Sequence, residues 1–482
     1  MTHCAYAVRV SCASGETDGL TVWRCALPPL LRYPSVDELT ARAAALAARH
    51  PRDAVLRRVG TSRAGTPLWL LSVGHGSRQA LVVAGPHANE PVGGATVLTL
   101  AERALADPGI TDDADTTWNL LLCLDPDGSR RNEAWLAGPY TLGHYFRNFF
   151  RPGFLEQPEW LPDGAEAAAL PETRALLGLQ DELRPFLQCS LHGVDVGGGF
   201  VELTRDLPGL GGRLARIAAA LGIPRELGAY DTLYWPTVGP AVYHIPPPRR
   251  GDLAAAITEA AVESTWFHPH RHGTVTAVVE APMWGVACVE DGSPPADRDA
   301  ELRSVSRALR HDARLLEDIL AAVRPRLVGA PDAARLLAPV DDYLLVCPGL
   351  ADAWDPDTAA PGSHDTLGAR PLPPLSNAHL AALRISGRRL ALRTAGLLHR
   401  LVRGTGHDPT GALPRLDRLI DSWCAEYRDG LGARWIPVAR QAEYQARVVL
   451  GAFELALGRA RVGSRSGEPG WGTQEVVPMH RE

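Results

Sequence analysis

With 482 residues, 45% of them hydrophobic and 22% charged, the chain has the balance of a globular protein and room for one large domain plus a smaller one. A net charge of -6 without an Arg-rich block argues against nucleic acid as a partner, and no apolar run is long enough to span a bilayer. Every basic residue is Arg, so chemistry that needs a P-loop, Schiff-base or kinase-type lysine is excluded.

The eight Cys are scattered without a Cys-x-x-Cys pair, and Cys123 and Cys189 fall inside apparent core strands. The opening Met-Thr-His-Cys-Ala-Tyr has no charged region leading into an apolar run. Both features read as reduced thiols and a cytoplasmic location.

Residues 1–30 suggest only short strands near Ala7–Val10 and Thr21–Leu27. Ser35 is an N-cap signal for a helix from Val36 to about His50, closed by Pro51. Val55–Val59 and Pro67–Val73 read as a hairpin. An apolar strand beginning at Leu81 stops at Gly85-Pro86 and is followed at once by His87 and Glu90, with a helix from about Gly93. Asn119–Leu124 is a further strand, ending in the turn Asp125-Pro-Asp-Gly128.

Residues 130–164 form a long aromatic excursion of the kind usually kept for function. A helix near Pro171–Glu182 precedes the strand Phe186–Leu191, which delivers His192. A Tyr/Pro-rich stretch (Tyr230 to Pro248), another helix and His268-Pro-His-Arg-His272 lead to the strand Thr274–Val279, with Glu280 at its end. A helix from about Asp297 closes this unit. Strands alternating with helices predict an α/β fold, a mixed and mainly parallel sheet with helices on both faces.

The expected division is an extension (1–30), a catalytic domain (31–330), a Pro/Gly/Asp-rich linker (331–376) and a C-terminal helical domain (377–482). Its helices are read at Asn377–Arg403, Leu416–Tyr427 and Ile436–Gly458. Their apolar faces call for packing on the catalytic domain or on a second copy, so a homo-oligomer is one option.

Three strand ends thus supply His87 with Glu90, then His192, then Glu280. Two imidazoles and a carboxylate leave a fourth position for water, the pattern of catalytic rather than structural zinc. Glu280 is placed to take a proton from that water and pass it to a leaving amine. The chemistry also asks for a cation facing the developing oxyanion, and Arg130 and Arg131 follow the Asp-Pro-Asp-Gly turn.

His-x-x-Glu after a Gly-ended strand, Asp-Pro-Asp-Gly with Arg soon after, Ser-Leu-His and Val-Val-Glu-Ala-Pro together resemble the zinc carboxypeptidases (peptidase family M14) in order and spacing. The resemblance covers about residues 30–325, with the lead-ins Tyr33-Pro-Ser-Val-Asp-Glu and Gly60-Thr-Ser-Arg-Ala-Gly-Thr. It implies one Zn2+ per chain held by His87, Glu90 and His192, with Glu280 as general base and Arg130 as oxyanion group, Arg131 nearly as well placed. The substrate implied is a peptide or peptide-like molecule with a terminal carboxylate.

The family's Asn-Arg carboxylate anchor falls on Tyr145-Phe-Arg-Asn-Phe149, so Arg147 and its neighbour Asn148 match while Phe146 stands where Asn belongs. Arg151 lies close enough to take over the role of Arg147. Asp125 likewise replaces the usual Asn, and Tyr243, ahead of Tyr234 and Tyr230, is the choice for the family's mobile Tyr. Two rivals remain: an N-acyl-amino-acid amidohydrolase of the same superfamily, and a catalytically silent peptide-binding protein.

Overall fold

The computed structural model describes residues 14–17, 20–23, 30–160, 169–246, 264–327, 332–358, 372–408 and 410–466. The expected strand near Ala7–Val10 and the helix between Pro248 and His268 lie outside them. No helix among these residues is long and apolar enough to cross a membrane.

β1 (Ser14–Thr17) and β2 (Leu20–Trp23) pair antiparallel. α1 (Val36–Arg49) starts on a capping box: the Ser35 hydroxyl accepts from the Glu38 amide, and the Glu38 carboxylate accepts from the Ser35 amide at 2.9 Å. Such a cap is worth about 1 kcal/mol and fixes where the helix begins. β3 (Ala54–Thr61) and β4 (Pro67–Val73) form the antiparallel hairpin. β5 (Arg78–Ala84), α2 (Val92–Ala106) and β6 (Thr116–Leu121) follow.

The Asp-Pro-Asp-Gly turn is the start of a short helix, α3 (Pro126–Arg130), and α4 (Glu133–Leu136) and α5 (Leu142–Asn148) lie in the aromatic excursion. α6 (Pro171–Leu183), β7 (Leu187–Gly197), β8 (Phe200–Leu203) and α7 (Leu210–Leu221) come next. β9 (Thr237–Gly239), β10 (Val242–His244) and β11 (Val275–Gly285) complete the central part. The remainder is α8 (Arg298–Val323), α9 (Ala333–Trp354), α10 (Asn377–Gly404), α11 (Ala412–Ala425), β12 (Arg434–Trp435) and α12 (Val438–Ser466).

Ten strands make one sheet in the order β3-β4-β6-β5-β7-β11-β8-β10-β9, with β12 on β11. The middle four, β6-β5-β7-β11, run parallel and antiparallel pairs flank them. The mixed, centrally parallel sheet with helices on both faces is therefore as expected.

Alternation along the strands divides the two faces. Ala80, Val82, Leu187, Cys189, Leu191, Ala277 and Val279 belong to the large core under α2 and α12, where Phe453 packs on Trp118 with ring centroids 4.7 Å apart. Leu81, Val83 and Leu121 face the other way and meet Leu176 and Leu179 of α6. Gln188, Ser190 and His192 alternate with the first set and so share this second face.

The region beyond residue 330 differs from its sequence reading in one respect. Residues 333–354, expected within a linker, form α9, because Leu336, Val340, Tyr343, Leu344 and Cys347 make a helical apolar stripe despite Pro339 and Pro348. The apolar residues of α10, α11 and α12 join the same core as the sheet, so these helices pack on this chain's own strands.

Candidate metal centre

The turn that aims the first two groups is set by Gly85. Its φ of +59° suits glycine, and a Cβ there would lie 2.8 Å from Cys123 Sγ. The chain then turns through residues 87–90, the Glu90 amide donating to the His87 carbonyl at 3.1 Å, and α2 begins only at Val92. His87 and Glu90 sit on this turn, ahead of the helix, which brings their side chains together.

His192 and Glu280 differ from expectation. Both β7 and β11 run past them, and the two residues stand side by side in the parallel register rather than at strand ends. Long pairing from Val275 to Gly285 carries both strands beyond the site.

Four polar atoms converge. His87 Nδ1 lies 3.1 and 3.0 Å from the two Glu90 oxygens, His192 Nδ1 lies 3.1 Å from His87 Nδ1, and His192 Nδ1 lies 3.3 Å from Glu90 Oε2. Two ligands at ~2.05 Å in tetrahedral array around zinc are separated by about 3.3 Å. The spacing, the donor set and the burial of all three residues fit a metal ion. Two imidazole Nδ1 atoms facing each other inside a protein need a shared cation or proton between them, and a metal satisfies both.

Electrostatics follow from burial. Burial first, and then the Arg151 charge, hold His87 down at about 4. Burial works the same way on His192 but is overridden by Glu159, so its pKa is raised. Glu280 Oε1 lies 3.8 Å from His192 Nδ1, and its other oxygen is buried without a hydrogen-bond partner. Burial, against the pull of His192 and with the neighbouring Glu90 charge, pushes Glu280 up to about 8.

Two contributors come from the irregular segment after α5. Arg151 donates to Glu90 Oε1 at 2.9 Å and to Gln157 Oε1 through Nε and Nη2. Glu159, 1% exposed, accepts from Ser190 Oγ at 2.7 Å and from Trp266 Nε1 at 2.8 Å, and lies against both histidines. Arg151 was legible only as an alternative to Arg147. Glu159 went unread; its one signal is a carboxylate in the apolar run Pro158-Glu-Trp160 inside the excursion.

The remaining expected groups are held elsewhere. Arg130 pairs with Asp37 of α1 at 3.1 Å, and Arg131 with Asp332 at 2.7 Å. Arg147 is clamped by two carboxylates of α11, Asp417 at 2.7 Å and Asp421 at 2.8 Å. Asn148 donates to the His144 carbonyl at 2.8 Å, one helical turn back. Tyr243, 2% exposed, donates to the Glu226 carbonyl at 2.7 Å. Each of these five thus has a partner of its own in the structure, brought in by tertiary packing for Arg130, Arg131, Arg147 and Tyr243 and lying within α5 for Asn148. His268 and His272 both bond Asp181, at 3.1 and 2.8 Å, and His270 is not grouped with them in any metal-type cluster among the described residues.

The Asp-Pro-Asp-Gly turn has a structural use of its own. Asp127 accepts from Ser62 at 2.9 Å, Thr66 at 2.8 Å and the Ala64 amide at 2.9 Å, which docks the β3–β4 hairpin tip. Asp125 accepts from the Gly128 amide at 2.9 Å, and burial pushes its carboxyl up to about 7. The native state therefore keeps a proton that the unfolded chain releases near pH 4. Stability from this group is fully present below the unfolded value and is lost as pH rises through about 7. The gap corresponds to roughly 4 kcal/mol at most. Asp125→Asn keeps the Gly128 bond without the charge, so between pH 5 and pH 8 the wild type should lose a few °C more in melting temperature than the variant; parallel pH profiles would contradict this.

Comparison with known proteins adds the following. The family model described as zinc carboxypeptidase matches residues 39–195. No curated protein matches. Among solved structures, carboxypeptidase A from Helicoverpa armigera is similar at 17% identity, over 52% of this chain and 65% of that one, with a TM-score of 0.35. A metallo-carboxypeptidase from Burkholderia cenocepacia is similar at 17% identity, over 52% and 60%, with a TM-score of 0.33. This chain therefore spans less than two thirds of either protein. Bovine thrombin-activatable fibrinolysis inhibitor is similar at 14% identity, over 51% and 86%, with a TM-score of 0.32. The likeness to the zinc carboxypeptidases that the motifs carry is borne out over residues 39–195, a stretch that includes His87, Glu90 and His192 but not Glu280.

Proposed function

We propose that this chain is a zinc-dependent metallocarboxypeptidase, a hydrolase that cleaves the last amide bond of a peptide or peptide-like substrate. The observation that carries the reading is the convergence of His87 Nδ1, His192 Nδ1 and the Glu90 carboxylate within 3.3 Å of one another, with Glu280 3.8 Å from His192 Nδ1. His87, Glu90 and His192 would hold the ion. Zinc, when bound, supplies Lewis acidity toward the carbonyl and toward water.

The chain's own residues do the rest. Glu280 takes a proton from the attacking water and hands it to the departing amine, so the carboxyl product gains OH, the amine gains H, and no covalent enzyme adduct forms. Arg151, already beside Glu90, is the cation nearest the ligands that the expected Arg130 would have supplied, and it can pair with a developing oxyanion or a substrate carboxylate. A cytoplasmic location belongs to the same reading; Cys123, Cys189, Cys288, Cys347 and Cys424 are free thiols.

Phe146 in place of Asn and the engagement of Arg147 by Asp417 and Asp421 favour a looser demand on the terminal carboxylate. The second reading is an N-acyl-amino-acid amidohydrolase, which the Gly85-Pro-His-Ala-Asn-Glu90 string suits as well. A peptide library in which each member carries either a free or an amidated C-terminus separates the two, read by mass spectrometry after incubation with zinc-loaded protein. Loss of single C-terminal residues from the free-acid members is the expected result. Equal cutting of amidated members would show that Phe146 has relaxed the specificity, turnover of N-acyl amino acids only would overturn the peptidase reading, and zinc binding without turnover of any substrate would favour the silent binder.

A further inference from the structure

Glu159 has a position that the catalytic reading does not use. It comes from the irregular segment after α5, is almost fully buried, and is fixed from behind by Ser190 Oγ–H and Trp266 Nε1–H, both donating to Oε1. Its other oxygen, Oε2, lies 3.2 Å from His192 Nε2 and 3.6 Å from His87 Nε2, while His192 Nε2 also lies 3.3 Å from Oε1 and 3.0 Å from Ser190 Oγ. His87 Nε2 and Glu159 Oε2 are each buried without a hydrogen-bond partner, so the 3.6 Å gap joins two orphaned atoms.

We propose that Glu159 is the positioning residue of the metal centre, one carboxylate that takes the Nε2 hydrogens of both His87 and His192 and so turns both Nδ1 lone pairs toward the ion. This inference rests on the metal reading above. It follows from imidazole chemistry: a neutral ring carries one hydrogen, and the nitrogen that holds it cannot bind a metal. An acceptor at both Nε2 atoms puts the hydrogens there. A carboxylate does this for two rings at once because it only accepts. Glu159 is not a ligand itself, since it lies on the outer nitrogens while the cluster forms on the inner ones.

Glu159→Gln tests this without changing volume. If the new amide keeps its oxygen toward Ser190 and Trp266, its NH2 faces two Nε2–H donors, and relief requires moving a hydrogen to an Nδ1 that the metal needs. If the amide flips, its NH2 opposes the Trp266 Nε1–H instead. Zinc affinity of the full-length protein, measured by competition with a chromophoric chelator, should fall about 10–100-fold, the usual effect of losing such a partner. Circular dichroism of the variant should match the wild type.

A second readout needs no variant: the histidine 15N–1H spectrum of the zinc-loaded wild type should show slowly exchanging Nε2–H protons on both rings. Equal zinc affinity in wild type and Glu159→Gln, or an Nδ1–H on either ring, would overturn the inference alone. A wild type that binds no zinc would instead overturn the metal reading on which it rests.

Discussion

Glu280→Gln should abolish nearly all hydrolysis while leaving zinc bound. General-base catalysis contributes about 10²–10⁴ in rate, and the amide cannot accept the proton. The metal should stay because His87, Glu90 and His192 form the cluster without Glu280, which stands 3.8 Å from His192 Nδ1. Its second oxygen is buried and has no hydrogen-bond partner, so the substitution breaks no bond that the fold depends on. Turnover number is the parameter to read, since a group acting on the reacting water should change kcat more than KM. Full activity in this variant would remove Glu280 from the chemistry; loss of zinc along with activity would make it part of the metal's cage.

The second large effect is expected far from the reacting atoms. Arg393 of α10 donates to Asp195 Oδ2 at 2.8 Å, and both are buried. Tyr145 donates to the other oxygen at 2.7 Å, and Asn89 reaches both groups at 3.3–3.4 Å. Asn89 lies between His87 and Glu90, and Asp195 lies three residues past His192, so this network ties a C-terminal helix to both metal-bearing segments. On α12, Gln445 donates to the Val279 carbonyl at 3.1 Å and also to that of His192.

Arg393→Met leaves a buried carboxylate without its counter-charge, a change that typically costs 3–5 kcal/mol. The variant should melt several °C lower and bind zinc more weakly. Adding Asp195→Asn to it should recover part of the stability, because the stranded charge is gone. A neutral Arg393→Met, or no recovery in the double variant, would mean that the pair does not couple the helices to the site.

What the sequence made legible follows from how local each signal is. Ser35 as an N-cap, the stop at Gly85-Pro86 and the i, i+3 spacing of His87 and Glu90 act within a few residues of one another, which is why they could be read. The sheet was readable because β-branched and apolar runs mark buried strands however they are ordered. Its helices at 377–404 and 438–466 were readable for the same reason, through their apolar periodicity.

The partners of Arg130, Arg131 and Arg147 were not, because a guanidinium on a long flexible stem goes to whichever carboxylate packing brings nearest. For Arg147 those are Asp417 and Asp421, some 270 residues on. Glu159 and Arg151 sit in a segment without periodicity, so nothing in their spacing says that they fold back onto His192 and Glu90. Residues 333–354 carry the Asp, Pro and Gly of a linker, and only the Leu/Val/Tyr stripe that their helix buries marks them as helical.

The most direct test of this account is a zinc titration of metal-free protein, wild type beside His192→Ala, read by native mass spectrometry. The wild type should take up one zinc per chain at a slight molar excess of zinc, and His192→Ala should bind little under the same conditions. A wild type that stays metal-free, or a His192→Ala variant that still fills to one zinc per chain, would contradict the metal centre built from His87, Glu90 and His192.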